Sequence, residues 1–189
     1  MTIFAAFLYV LIAACALFAA HNAGRLGMGN PDRMTWLVVA AAFGIFVVLR
    51  LAGVEEILRD HLREMLRSGG VYDERRDIQR PLAAIAFVVI GAMGWLALRS
   101  WPGMRSRSRL CKWIACWATA GFVPLYILRI LSLHAVDVLL YRGPVRLNWV
   151  LDGALSLFAG GAALAYVVFI RQGARRRQAQ EGRERGYKR

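Results

Sequence analysis

The sequence has few of the residues from which most catalytic and metal sites are built. Its 189 residues include three cysteines and three histidines, and none of these falls in a CxxC, HExxH, HxxxH or CxxCH arrangement. Cys15 lies in an apolar run, where a buried and unreactive thiol is expected. Cys111 and Cys116 lie near a predicted cytoplasmic boundary, where a disulfide is disfavoured. The sequence therefore predicts no redox centre, and it identifies no catalytic residue.

Acidic residues are also scarce. The chain carries 12 Asp and Glu against 25 Lys and Arg, which gives a formal net charge of +13. Most of the excess positive charge lies in short segments beside apolar runs, as the positive-inside bias of membrane proteins produces. No basic fold with interleaved aromatic residues is visible, so nucleic acid is not an expected partner.

What the sequence has in abundance is long apolar runs. Hydrophobic residues make up 58% of the chain and the mean hydropathy is +0.44, and runs of this length are typical of membrane-spanning helices. We predict an all-α integral membrane protein, a bundle of about five transmembrane helices with one amphipathic juxtamembrane helix. The predicted transmembrane domain is 1–170, with spans at 2–20, 35–53, 81–98, 113–133 and 149–170. A signal peptide at the N-terminus is disfavoured because the positive charge that such a peptide carries at its start is missing.

Two polar segments flank these spans. In residues 54–67 the apolar side chains and His61 follow one helical stripe, with charged residues on the other face, so we predict an amphipathic helix in which His61 packs. Residues 171–189 form a basic tail with few apolar residues, and we expect it to be disordered or to face anionic lipids.

The distribution of basic residues predicts the orientation. The first loop, the third loop and the tail hold 15 Lys and Arg, whereas the opposite side holds 10. This bias favours a cytoplasmic C-terminus in a multi-pass protein of the cell (inner) membrane. Five tryptophans fall toward the same predicted cytoplasmic edge: Trp36, Trp95, Trp101, Trp113 and Trp117.

The predicted topology brings a set of polar residues to the extracytoplasmic boundary. They are Arg50, Glu55, Glu56, His61, Arg129, His134, Asp137, Asn148 and Asp152. Ionisable groups at membrane depth are costly and are usually paired. We expect Arg129 or Arg50 to pair with Asp152, and structural ion pairing is favoured over a ligand site. A metal or haem at His61, His134 and Asp137 is a weaker hypothesis, because the ligand types fit but no motif does.

Small residues at four-residue spacing mark predicted helix-packing positions. The pairs are Ala40 with Gly44, Ser156 with Gly160, and Ala159 with Ala163, and such spacing lets two helices approach closely. Gly121 and Pro124 predict a kink in the fourth span.

These features favour an accessory, assembly or interaction subunit of a membrane complex, with the lipid bilayer, anionic lipids at the tail and other membrane subunits as partners. One alternative is a membrane enzyme, or a redox or metal-binding protein, that uses the polar cluster around His134 and Asp137. The other alternative is a carrier of a small solute or lipid, which predicts a water-accessible cavity that reaches Asp152.

Overall fold

The computed structural model describes residues 2–54, 57, 61, 64, 75–102, 106–131 and 147–187. Five α-helices account for most of them: α1 (Thr2–Arg25), α2 (Asn30–Leu51), α3 (Arg75–Arg99), α4 (Arg107–Leu131) and α5 (Leu147–Tyr187). No β-strand occurs in these ranges. The predicted all-helical class is therefore confirmed.

Four segments of these helices are long and apolar enough to cross a membrane. They are Ile3–Arg25, Asn30–Leu51, Arg107–Ile127 and Trp149–Glu181. They overlap four of the five predicted spans. The remaining predicted span, 81–98, falls within α3, where Val88–Arg99 forms a shorter apolar stretch. A fifth span therefore stays a prediction.

The connection between α1 and α2 is tighter than the sequence indicated. Residues 21–34 were expected to form a loop, but α1 continues to Arg25 and α2 begins at Asn30. Gly27 and Gly29 have φ values of 63° and 88°, which glycine adopts without steric cost. The Met28 amide donates to the Ala23 carbonyl over 3.0 Å and closes the turn. Polar residues at the predicted loop boundaries extend the helices because helix formation satisfies their backbone groups.

Alanine residues allow the helices of the bundle to pack closely. α1 packs against both α2 and α5, and α5 also packs against α4. Five of the buried residues of α1 are alanines (Ala6, Ala16, Ala19, Ala20 and Ala23). Side chains this small bring helix backbones together, which increases van der Waals contact between them.

An aromatic cluster fills the interior nearer the start of α1. Tyr9, Phe43, Phe46, Phe122 and Tyr126 are all buried, and the ring pairs in contact have centroids 4.9 to 6.3 Å apart. Most pairs meet edge to face, the arrangement that aromatic rings prefer. Rings from α1, α2 and α4 thus meet in one cluster.

Helix α5 is the longest element and corrects one expectation. It runs unbroken for 41 residues to Tyr187, so the prediction of disorder is wrong for residues 171–187. Arg, Gln, Ala and Glu dominate this stretch and are good helix formers. The membrane-length part of α5 supplies the helical nucleus from which the basic stretch propagates.

Candidate functional site

Two members of the predicted polar cluster come together at one end of the bundle. Arg50 in the last turn of α2 and Asp152 near the start of α5 both line a cavity of about 70 Å³. The other lining residues are Phe4, Ala5, Leu8, Trp149 and Gly153. We call this site the Asp152 cavity.

Asp152 is anchored by a residue that the sequence reasoning missed. The Tyr9 hydroxyl donates a hydrogen bond of 2.5 Å to Asp152 Oδ1. Asp152 is 8% exposed and Tyr9 is fully buried among the aromatic rings. The bond therefore joins α1 to α5 inside the bundle. A tyrosine in an otherwise apolar run was the available signal, since a buried phenol usually needs a polar partner.

Most of the other predicted members of the cluster have side chains that the structure does not describe. Arg129 and Asn148 lie on α4 and α5, but their side chains are outside the described residues, as are Glu55, Glu56, His134 and Asp137. The proposed Arg129–Asp152 pair therefore stays a prediction.

His61 and Ile57 are described and both are exposed. They were expected on the packed stripe of an amphipathic helix. Apart from these two residues, Val54 and Glu64, the segment 54–67 lies outside the described residues, so the amphipathic helix stays a prediction. Among the described residues, no group of three His, Cys, Asp or Glu side chains is placed to hold a metal ion.

The predicted helix-packing positions on α5 lie in close helix contacts, whereas only one of the two positions on α2 is buried. Ser156, Ala159 and Ala163 are fully buried on α5. A Cβ atom added to Gly160 would lie 3.4 Å from Ile12 Cγ1, so α1 approaches α5 closely at this glycine. On α2, Ala40 is buried, but a Cβ on Gly44 would meet no atom within 4 Å.

The opposite end of the bundle contains a polar network that was not predicted. Lys112 Nζ on α4 forms an ion pair with Asp32 Oδ1 on α2, and the Tyr166 hydroxyl on α5 donates to Asp32 Oδ2 over 2.7 Å. Asp32 and Lys112 side chains are only 14% and 22% exposed. One carboxylate thus holds three helices together. The Tyr166 ring packs on Trp36 with centroids 5.0 Å apart.

A second contact at this end joins α1 to α5. Arg171 donates from Nε and Nη2 to Asn22 Oδ1, over 3.1 and 2.8 Å. The Asn22 amide in turn donates to the Phe18 carbonyl over 2.7 Å, which fixes the orientation of the Asn22 side chain. The Arg171 guanidinium also lies 5.3 Å from the centre of the Phe18 ring, within range of a cation–π interaction.

These contacts escaped the sequence reasoning because their members were assigned to a loop or to an apolar span. Asn22 and Asp32 lie in the predicted first loop, and Tyr166 lies in a predicted span. A usable signal existed for the ion pair. Asp32 and Lys112 carry opposite charges, and both lie beside spans on the same predicted side of the membrane.

The chemistry available at both ends is mainly that of helix anchoring. The contacts Tyr9–Asp152, Lys112–Asp32, Tyr166–Asp32 and Arg171–Asn22 each join two different helices, so each fixes a helix–helix distance. The Asp152 cavity, at about 70 Å³, has room for a few water molecules. Its volume is well below the roughly 300–1,000 Å³ of pockets for drug-sized ligands.

Comparison of the chain with protein families, curated proteins and solved structures found no significant match.

Proposed function

We propose that this chain is a small polytopic protein of the cell (inner) membrane that serves as an accessory or assembly subunit of a membrane complex. The observation that carries the proposal is the position of α3. Among the described helices, α3 packs chiefly against α4, whereas each of the other four packs against at least two others. The side chains described on α3 after Leu82 are mostly exposed, so this part of the helix is available to lipid or to another protein.

The surface of α3 favours a protein partner. Its exposed large apolar residues lie on several sides of the helix: Ile85, Val88, Ile90, Trp95, Leu96 and Leu98. Gly91 and Gly94 are exposed between them, and a Cβ on either would meet no atom within 4 Å. Exposed glycines let another helix backbone approach closely, which is how membrane helices associate. We therefore propose a membrane-spanning helix of another subunit as the partner of α3.

The use of polar groups within the bundle supports the same reading. Asp32 is held by Lys112 and Tyr166, and Asp152 by Tyr9. These residues connect helices rather than line a large cavity. A scaffold needs such anchors between its helices.

The proposal includes α3 as the fifth span and a cytoplasmic C-terminus. Ser100, just after α3, accepts hydrogen bonds from the indole nitrogens of Trp113 and Trp117 over 3.1 and 3.2 Å. This contact holds the end of α3 beside the start of α4, as two consecutive spans joined by a short loop require. Arg25 and Arg99 end α1 and α3, and Arg171 directly follows the predicted span 149–170. Five spans place all three on one side, and that side is cytoplasmic by the positive-inside rule.

The test is site-specific photocrosslinking in native membranes. A benzoylphenylalanine at Val88 on α3 should give a discrete adduct with another membrane protein, whereas the same probe at exposed Leu164 on α5 should not. Adding Gly91→Leu, three residues along the same helix face, should reduce the Val88 adduct severalfold, because the larger side chain keeps the partner helix away.

The matched control is Gly161→Leu. Gly161 is also exposed, and a Cβ there meets nothing within 4 Å, but it lies on α5. Gly161→Leu should leave the yield of the Val88 adduct unchanged. The proposal fails if Val88 crosslinks only to lipid, or if both glycine variants reduce the adduct equally.

The carrier alternative has one observation in its favour, namely that the Asp152 cavity contains both an aspartate and an arginine. A carrier would let a water-soluble thiol reagent reach Gly153→Cys from the aqueous phase. Protection of that cysteine in sealed membranes, together with its labelling after solubilisation, would exclude this alternative.

A further inference from the structure

A groove at the Asp32 end of the bundle differs in character from the Asp152 cavity. Its volume is about 740 Å³. Its basic lining residues are Arg25 at the end of α1, Arg107 at the start of α4, and Arg176 and Arg177 on α5. We call it the basic groove. Three helices that are distant in sequence therefore direct cationic residues to one concave surface.

The basic groove carries an excess of positive charge among the described residues. Within the described part of the chain, none of its four arginines has a carboxylate at ion-pair distance. Of the described lining residues, one is acidic, namely Glu181. By contrast, Lys112, which follows Arg107 on α4, is paired with Asp32. Arginines that face one groove repel one another, so an anion that enters the groove lowers their electrostatic energy.

One wall of the groove is apolar. Leu26, Met28, Phe169 and Ile170 line it on the side of the bundle. The Arg107 guanidinium lies 5.5 Å from the centre of the Phe169 ring, so the charged and apolar parts of the groove adjoin. Two candidate spans have their ends here, at Arg25 and Arg107. The groove thus lies where a lipid headgroup meets its acyl chains.

We propose that the basic groove binds the phosphate headgroup of an anionic phospholipid, with the acyl chains along Met28 and Phe169. Arginine suits this role because its planar guanidinium can donate two parallel hydrogen bonds to phosphate oxygens. A free phosphate compound would use the arginines but not the apolar wall. The inference rests on the proposed membrane location. It assigns anionic lipid to a defined site, whereas the sequence predicted only a general attraction of anionic lipids to the basic tail.

The experiment measures lipid retention by native mass spectrometry of the full chain in mild detergent. The probes are phosphatidylglycerol and phosphatidylcholine, titrated separately. The groove variant is Arg107→Gln with Arg176→Gln. The matched control is Arg175→Gln with Arg183→Gln, which removes the same charge from exposed residues of α5 that do not line the groove.

Wild-type protein should retain phosphatidylglycerol in preference to phosphatidylcholine. One arginine near an anionic membrane changes affinity about fivefold, so the groove variant should lose about 25-fold. The control should lose less than about threefold, because its arginines lie outside the groove. Equal losses in the two variants would overturn the site, since they would show that only total charge matters. Equal retention of the two lipids by wild-type protein would also overturn it.

Two further arms separate the alternatives. Displacement of bound phosphatidylglycerol by millimolar glycerol 3-phosphate would assign the groove to a soluble phosphate ester and overturn the lipid proposal, whereas no displacement supports it. Carbonate extraction of the expressing membranes tests membrane insertion independently. Extraction of the protein would overturn the proposed function together with the lipid site. Resistance to extraction with equal loss in both variants would overturn the site alone.

Discussion

The contribution of the hydrogen bond between Tyr9 and Asp152 to stability can be tested by removing a single hydroxyl group. Tyr9→Phe removes the donor of the 2.5 Å bond and leaves the ring. The ring contacts with Phe43 and Phe122, at 5.9 and 5.5 Å between centroids, need not change. The variant therefore measures the polar link between α1 and α5 without a packing defect.

The magnitude follows from two ranges. A hydrogen bond inside a protein contributes a net free energy of about 0.5–1.5 kcal/mol. Pairs measured between membrane helices average about 0.6 kcal/mol and reach about 1.7. Asp152 is 8% exposed, so water replaces the lost donor poorly and the upper part of the ranges applies. We expect Tyr9→Phe to lower the free energy of unfolding by about 1 kcal/mol.

The assay is reversible unfolding of the full chain in mixed micelles by titration with dodecyl sulfate, followed by tryptophan fluorescence and far-ultraviolet circular dichroism. Ser156→Ala is the control, one helical turn from Asp152. Ser156 is fully buried, and its hydroxyl has no hydrogen-bond partner among the described residues. Its removal should be neutral or stabilising.

Two results would refute the reasoning. One is a loss below about 0.3 kcal/mol in Tyr9→Phe, which is within the usual error of additivity. The other is an equal loss in Tyr9→Phe and Ser156→Ala. An Asp152→Asn background should also reduce the effect of Tyr9→Phe, because the two changes act on the same contact.

Two further predictions use the same unfolding assay. Lys112→Met should lower the free energy of unfolding by about 2 kcal/mol, a value between those for exposed and for buried ion pairs. The reason is that the Asp32 and Lys112 side chains are 14% and 22% exposed. An equal loss when Asp32→Asn is already present would contradict the prediction. Gly121→Leu should cost about 1–3 kcal/mol through overpacking, since a Cβ there lies 3.0 Å from Leu155 Cδ2. Gly161 has open space around it, so the free energy of unfolding of Gly161→Leu should stay within about 0.5 kcal/mol of the wild-type value. Similar losses of stability at the two glycines would show that the contact with Leu155 does not cause the loss at Gly121.

The helical class could be predicted from sequence because it depends on run length and hydropathy, which are local properties. Four apolar runs appear as candidate spans for this reason. The ends of the helices were harder to predict. Residues 21–25 and 171–187 are polar enough to resemble loop or tail, yet they continue helices that the adjoining apolar runs begin. Helix propagation costs little once a nucleus exists.

The candidate site was predicted only in part because pairing depends on which helices meet. Charge and position brought Arg50 and Asp152 to one boundary, and both line the same cavity. Tyr9, Asn22 and Tyr166 carry no formal charge at neutral pH, so a search for ionisable groups passes over them. Their roles follow from the packing of α1 and α5, which run length and hydropathy do not encode.

The spacing of the two polar anchors on α5 has a consequence for the lipid that surrounds the protein. Asp152 and Arg171 bind side chains of α1 at opposite ends of the bundle, and an α-helix rises about 28 Å between them. That distance is close to the roughly 30 Å hydrocarbon thickness of a typical bilayer. Helices tied together at both ends cannot slide past one another to relieve hydrophobic mismatch. In the proposed membrane location, the bundle would meet a thinner bilayer by tilting as one body.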